Sequence, residues 1–155
     1  MIAAEPSPQW ATTLVLPHER CFIDTNVLVY ADSTDEPVKQ RIAINLLMHL
    51  RKQRLGALST QVLNEYIHVG LRKLGLSHGH LREQLRCYRQ LDTATVTADT
   101  IELALDLHQS HALSYWDALI VASAHISGCA ILLTEDMGTG EVLAGVKLIN
   151  PFKIV

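Results

Sequence analysis

Four carboxylates stand where acids could do chemistry: Asp24, Glu65, Asp117 and Asp136. Asp24 follows the apolar run Cys21-Phe22-Ile23 and Asp136 lies shortly after Leu132-Leu133, so both fall just past the ends of expected strands. Glu65 comes after Ser59-Thr60 and Asp117 after Ser114, near the starts of expected helices. A helix that follows a parallel strand begins at that strand's carboxyl end, which lets acids distant in sequence converge on one pocket. Converging carboxylates repel one another unless a cation neutralises them, and an oxygen-only set without thiolate suits Mg²⁺ or Mn²⁺. Mg²⁺ bound in this way keeps several waters and completes its shell with phosphate oxygens, which points to phosphodiester or phosphoryl chemistry.

Each acid also has a purely structural use. Asp24 can be a helix N-cap, and Ser114-x-x-Asp117 reads as a capping box. Glu65 borders an apolar stripe and can be a solvated helix edge, while Asp136, beside Glu135 and before Gly138, can belong to a surface turn. Against a capping role alone for Asp117 stand Trp116, Ala118, Leu119 and Ile120, which imply burial; a buried carboxylate needs a partner charge, hydrogen bonds or a metal.

The elements that must position these acids follow from hydrophobic period and turn chemistry. Val27 to Tyr30 opens a first helix, and Asp35-Glu36-Pro37 starts a second that carries Ile42, Leu46, Leu47 and Leu50 to Arg54, with Gly56 as its end. Ala57-Leu58 is a brief apolar step into a helix capped by Ser59-Thr60 and running through Val62, Tyr66 and Val69 to about Leu74. Gly75 and Gly79 bracket a linker, a helix from Leu81 to Leu91 follows, and Ala94-Thr95-Val96 reads as a strand. A further helix carries Ile101, Leu105 and His108. Ser114 opens the most apolar helix, closed by Gly128 and expected to be buried with Trp116 in the core. Ala130 to Leu133 reads as a central strand covered on both faces, and Val146 to Ile149 as the last strand. This alternation predicts an α/β domain with a mostly parallel sheet.

Composition narrows the class. The chain has 155 residues, 48% apolar, with 8 Gly and 5 Pro, enough for a sizeable core and unlike a disordered or collagen-like sequence. Cys21, Cys87 and Cys129 are odd in number and widely spaced, which fits a reducing cytoplasm. The most apolar stretches are broken by His125, Ser127 and Gly128, well short of the ~18 residues that cross a bilayer, so no membrane segment is expected. Residues 1–19 carry no export signal and read as a loosely held leader before a domain over 20–152. The formal charge of −3 hides an asymmetry: Lys39 to Arg89 holds ten of the thirteen Lys and Arg against Glu65 and Glu83, a balance of +8, and the remainder carries −11. Such a segment suits a polyanion such as a nucleic acid backbone, with Arg51, Arg54, Arg82 and Arg86 as candidate phosphate contacts, or it forms ordinary solvated helix faces. His68 lies one turn from Glu65 and borders the site or faces solvent; His78-x-His80 and His108-x-x-His111 lack the cysteine partners of structural zinc. Phosphate-loop, nucleophile-elbow and dinucleotide fingerprints are missing.

Taken in order, Phe22-Ile23-Asp24-Thr25-Asn26-Val27-Leu28, Thr60-Gln61-Val62-Leu63-Asn64-Glu65, Leu113-Ser114-Tyr115-Trp116-Asp117-Ala118-Leu119-Ile120 and Leu132-Leu133-Thr134-Glu135-Asp136-Met137 resemble the PIN domain family. The likeness is nearest to bacterial ribonucleases of the VapC toxin type, whose tail Gly145 to Phe152 also resembles. This resemblance implies a three-layer α/β/α sandwich with a mostly parallel central sheet and a metal-dependent endoribonuclease. Asp24, Glu65 and Asp117 would be the metal-binding acids, Asp136 the fourth carboxylate of the catalytic set, and Asn26 and Thr134 supporting polar residues. Implied as well are Mg²⁺ or Mn²⁺ as cofactor, RNA hydrolysis by an activated water leaving 5′-phosphate and 3′-hydroxyl ends, a homodimer, and a cognate antitoxin of a type II toxin–antitoxin pair. The rival within the same fold is a catalytically silent RNA- or protein-binding module. A phosphatase or receiver domain phosphorylated on Asp24 is disfavoured, since the phosphatase needs an acid where Asn26 stands and the receiver needs paired acids in the first loop.

Overall fold

A computed structural model describes residues 16–153; the first fifteen residues of the expected leader lie outside the described residues. Leu16 packs against the core, and the carbonyl of Pro17 lies 2.8 Å from Nε2 of His49, so the chain is tied down before the first strand.

In chain order the elements are β1 (Cys21–Ile23), α1 (Thr25–Ala31), α2 (Pro37–Gln53), β2 (Gly56–Ser59), α3 (Thr60–Arg72), α4 (His78–Tyr88), β3 (Asp92–Ala94), α5 (Ala98–Ser110), α6 (Tyr115–Ile126), β4 (Ile131–Leu133), β5 (Val142–Leu143) and β6 (Val146–Ile149). The sheet order is β3-β2-β1-β4-β6-β5, parallel throughout except for β5, which runs antiparallel to β6. The chain therefore builds outwards from β1 through β2 to β3, then crosses back to lay β4 on the other side of β1. Phe22 is in register with Ala57 on one side and Leu132 on the other. A crevice outside the carboxyl ends of β1 and β4, where the strand order reverses, is the usual ligand site of such sheets.

Helices α1 to α4 pack among themselves, and α5 packs on α6. Right-handed crossovers put the first group on one face and the second on the other, giving the α/β/α sandwich. Phe22, Leu58, Leu132 and Leu148 are fully buried, as central strands covered on both faces require. Each such side chain contributes about 1.5–3 kcal/mol of burial, so Leu132→Ala in the central strand costs about 2–5 kcal/mol. Every residue of α6 from Ala118 to Ala124 is buried, which explains its apolar run. Cys21 and Cys129 are buried thiols and Cys87 is half-buried; all three are free. Among the described residues no helix is long and apolar enough to cross a membrane.

Several expectations shift. Gly56 does not end α2: Arg54 takes the left-handed conformation at φ 57°, and Gly56 opens β2, where a Cβ would meet Leu91 Cδ2 at 2.8 Å and Leu50 Cβ at 3.2 Å. Gly79 lies inside α4, whose N-cap is Ser77, because the serine hydroxyl accepts from His80 N–H and starts the helix early. Strand β3 sits at Asp92–Ala94, two residues upstream of the expected run, where Ala57, Leu58 and Ser59 set its register. Trp116, expected in the core, is 62% exposed: it stands in the first turn of α6, ahead of the buried run that begins at Ala118.

Candidate active site

Asp24 is at once a strand end and a helix cap. Its N–H donates to Leu133 O at 3.1 Å, extending the β1–β4 pairing by one residue, and its Oδ1 accepts from Thr25 N–H at 2.7 Å at the start of α1. The remaining oxygen, Oδ2, accepts from the Thr134 hydroxyl at 2.8 Å and from Asn26 Nδ2 at 3.2 Å. Asp24 thus caps α1, and its second oxygen is turned across the β1–β4 boundary toward Thr134.

Thr134 and Asp136 follow β4. Thr134 is fully buried, and its Oγ1 accepts from Asp136 N–H at 3.2 Å, which fixes the turn that carries Asp136. Asn26 bridges the two strand ends: Nδ2 donates to Asp24 and also to Asp136 Oδ2 at 3.1 Å, while Oδ1 accepts from Glu135 N–H at 3.3 Å. Glu135 is occupied differently, in a 2.6 Å ion pair with Lys39, whose ammonium also lies 4.6 Å from the centre of the Tyr30 ring. The partner cation separates Glu135 from its neighbour Asp136, which has no such counter-charge in this network.

Glu65 reaches the same crevice from α3. Its Oε2 accepts from the Thr25 hydroxyl at 2.7 Å and its Oε1 from Gln61 Nε2 at 3.0 Å, one turn earlier on the same helix. Asp117 lies in the first turn of α6, with its N–H donating to Ser114 Oγ at 3.1 Å, so Ser114 caps the helix; the reciprocal bond of a capping box, from Ser114 N–H to the Asp117 carboxylate, is not formed among the described residues. Thr25, Asn26, Glu65 and Asp136 line one cavity of about 630 Å³, with His68 and Lys73 along α3 and Tyr30 along α1.

Electrostatics tie Asp117 to this group. Burial pushes its carboxyl upwards, hydrogen bonding to Ser114 opposes this, and the charges of Asp136 and Glu65 add to the rise. Asp24 is 5% exposed, and burial pushes it up from the ordinary 3.8 to about 6; hydrogen bonds from Thr134 and Thr25 oppose the shift, and the charges of Asp136 and Glu65 reinforce it. Asp24 and Asp117 thus each feel the charges of Asp136 and Glu65.

Among the described residues no three His, Cys, Asp or Glu side chains are close enough to enclose an ion. The donors are nevertheless all oxygens, the chemistry of Mg²⁺ and Mn²⁺, and Mg²⁺ is ordinarily held by one or two carboxylates with waters and phosphate oxygens instead of a closed protein cage. Asp24 and Asp136, joined through Asn26, with Glu65 and Asp117 beside them, fit that open mode.

Of the expected RNA contacts, Arg51 and Arg54 close α2 and line a cavity with Gly56 and Asp92, at the amino ends of β2 and β3 and so at the opposite end of the sheet from the acids. Arg82 and Arg86 are exposed on α4. Lys39 and Lys73 are the basic residues that the structure brings to the crevice. Sequence reasoning missed Lys39, Lys73 and the hydroxyl and amide partners Thr25 and Gln61. The four-residue spacing of Gln61 and Glu65 was readable; the Thr25–Glu65 and Lys39–Glu135 contacts join residues 40 and 96 apart and leave no local trace.

A parallel sheet with carboxylates gathered where its strand order reverses, between two helical layers, is the arrangement of the PIN domain. Residues 21–142 match that family, and the chain belongs to it. No curated protein matches the sequence. Solved structures that share the fold include the following three. A toxin–antitoxin complex from Klebsiella pneumoniae is 24% identical with TM-score 0.58, covering 86% of this chain and 99% of the other. VapC20 of Mycobacterium tuberculosis, a sarcin-ricin-loop-cleaving toxin, is 21% identical with TM-score 0.56, covering 75% and 91%. VapBC2 from Rickettsia felis, bound to a DNA fragment from its promoter, is 21% identical with TM-score 0.60, covering 83% and 96%.

Proposed function

We propose that the chain is a metal-dependent endoribonuclease and the toxin of a type II toxin–antitoxin pair, acting on RNA in the cytoplasm as a homodimer and held inactive by a cognate antitoxin. The observation that carries this reading is the hydrogen-bonded network at the β1–β4 crevice of a PIN fold, in which Asn26 joins Asp24 to Asp136 and Thr25 joins Asp24 to Glu65, with Asp117 feeling the charges of Asp136 and Glu65. The toxins and toxin–antitoxin complexes of the same fold support it.

In this reading Asp24, Glu65, Asp117 and Asp136 would hold Mg²⁺ or Mn²⁺, whose positive charge would polarise the scissile phosphate and favour ionisation of an attacking water. The chain's own groups do the positioning. Thr134 and the Thr25 N–H hold Asp24 with an oxygen directed across the strand boundary, and Asn26 spaces it from Asp136. Thr25 and Gln61 fix the position of the Glu65 carboxylate. Lys39 neutralises Glu135 and so limits the repulsion an incoming phosphate meets. Lys73 and His68 line the far end of the cavity, where they can meet the next phosphate. Arg51, Arg54, Arg82 and Arg86 contact RNA only beyond the crevice.

A silent RNA- or protein-binding module is favoured by one observation: the acids are satisfied by hydrogen bonds, and no three close around an ion among the described residues. Cleavage of total RNA by the partner-free protein with Mg²⁺ or Mn²⁺, followed by sequencing of 5′-phosphate ends, separates the two. Discrete cuts that vanish with EDTA are expected of the nuclease; intact RNA from folded protein is expected of the silent module.

A further inference from the structure

We propose that a second cavity beside the acids is a nucleobase pocket, in which an unpaired base flanking the cut phosphate stacks on Trp116. This deepens the ribonuclease reading and rests on it. The cavity measures about 450 Å³, within the roughly 300–1,000 Å³ of small-molecule sites. Asn64 and Glu65 line both this cavity and the one at the acids, so the two are adjoining rooms with α3 as their common wall.

Its chemistry is that of base recognition. Val96 and Leu119 form an apolar wall, and the Trp116 ring stands at the rim, 62% exposed and braced by an edge contact to Tyr115 at 5.4 Å. An indole that a core would normally claim is here presented to solvent one residue from Asp117. Gln61 is also in the wall. Its Nε2 is spent on Glu65 and on the Trp116 carbonyl at 3.4 Å, which leaves Oε1 buried without a partner among the described residues. A buried acceptor in that state calls for a donor, and a turn of the Gln61 side chain toward the cavity would offer it to the amino or ring N–H of a base. Stacking on an aromatic face, with amides reading the base edge, is the way single-stranded RNA is held. A polar, planar group is therefore a better occupant than an apolar peptide side chain, which would leave Gln61 unsatisfied.

The test compares wild type, Trp116→Phe and Trp116→Ala on an RNA oligonucleotide carrying a mapped cut site. Its partner substrate has an abasic sugar on either side of that site. Trp116→Ala raises KM roughly 5- to 150-fold, the loss of one stacked base, with kcat little changed, and Trp116→Phe restores most of it. The abasic sugar on one side raises KM of the wild type similarly and adds nothing to Trp116→Ala. Unchanged KM in Trp116→Ala, or two effects that simply multiply, overturns the proposal. Trp116→Ala that dissociates a dimer without altering RNA affinity also overturns it and gives the face to a second copy. Anisotropy of the labelled oligonucleotides in EDTA is read in parallel. Should the wild type not cleave, the nuclease reading fails, and binding that depends on both Trp116 and the base still upholds the pocket, whereas binding indifferent to either removes it.

Discussion

The Thr25 hydroxyl donates to Glu65 Oε2 at 2.7 Å, joining the first turn of α1 to the second turn of α3 across 40 residues of sequence. Because Thr25 also supplies the N–H that caps on Asp24, one residue orients two carboxylates. Thr25→Val keeps the shape and the N–H but removes the donor to Glu65. A hydrogen bond to a charged group contributes about 1.5–3 kcal/mol, so cleavage should fall roughly 10- to 100-fold while the melting temperature moves by only a few degrees. Steady-state rates and thermal melts on one preparation check this, and a full rate in the variant would remove the positioning role.

Burial of Asp24 makes a prediction about pH. Its folded value of about 6 lies above the ordinary 3.8, so the metal-free fold prefers the protonated acid. Relative stability from this group is fully present below about pH 4 and is lost as pH rises through about 6, a loss of about 3 kcal/mol at 1.36 kcal/mol per unit. In EDTA, Asp24→Asn should therefore be more stable than wild type at pH 7.5, and that advantage should disappear at pH 4. Denaturation curves at both pH values decide, and an advantage independent of pH would place the cost of Asp24 elsewhere.

Much of this architecture was legible locally. Cys21 to Ile23 and Ile131 to Leu133 are unbroken apolar runs because both faces of those strands are covered, and the acids follow them because a parallel strand ends where a helix or turn must begin. Ser59 and Ser114 announced their helices through cap chemistry. What escaped depends on neighbours far along the chain. Strand β5 has only two residues and exists through its pairing with Lys147 and Val146, which no period reveals. Trp116 sits among apolar neighbours like a core residue, but it lies in the first turn of α6, before the buried run that begins at Ala118.

Gly56 is the case where a glycine was read as a stop and is a spacer. Gly56→Ala would press a methyl against Leu50 Cβ, which cannot swing away, and against Leu91. Overpacking of this kind costs about 1–3 kcal/mol, and the urea midpoint should fall accordingly with an unchanged slope. An equal or higher midpoint would mean that β2 and α2 separate at little cost.

Lys73 and Arg54 lie in different places relative to the acids, and salt dependence distinguishes them. For an oligonucleotide that fills only the crevice, Lys73→Glu should weaken binding and reduce the slope of log K against log salt by about 1, whereas Arg54→Glu should leave the slope alone. With long RNA both should reduce it. Equal slopes for all proteins on the short oligonucleotide would place its backbone away from α3.

The most direct measurement is calorimetric titration of Mn²⁺ into wild type and Asp24→Asn, with cleavage rates taken on the same samples. Saturable binding by the wild type, weakened at least tenfold in the folded variant together with loss of cleavage, is the predicted result. Equal binding in both proteins, or cleavage that survives in Asp24→Asn, would contradict a cation site built on the carboxylates of the β1–β4 crevice.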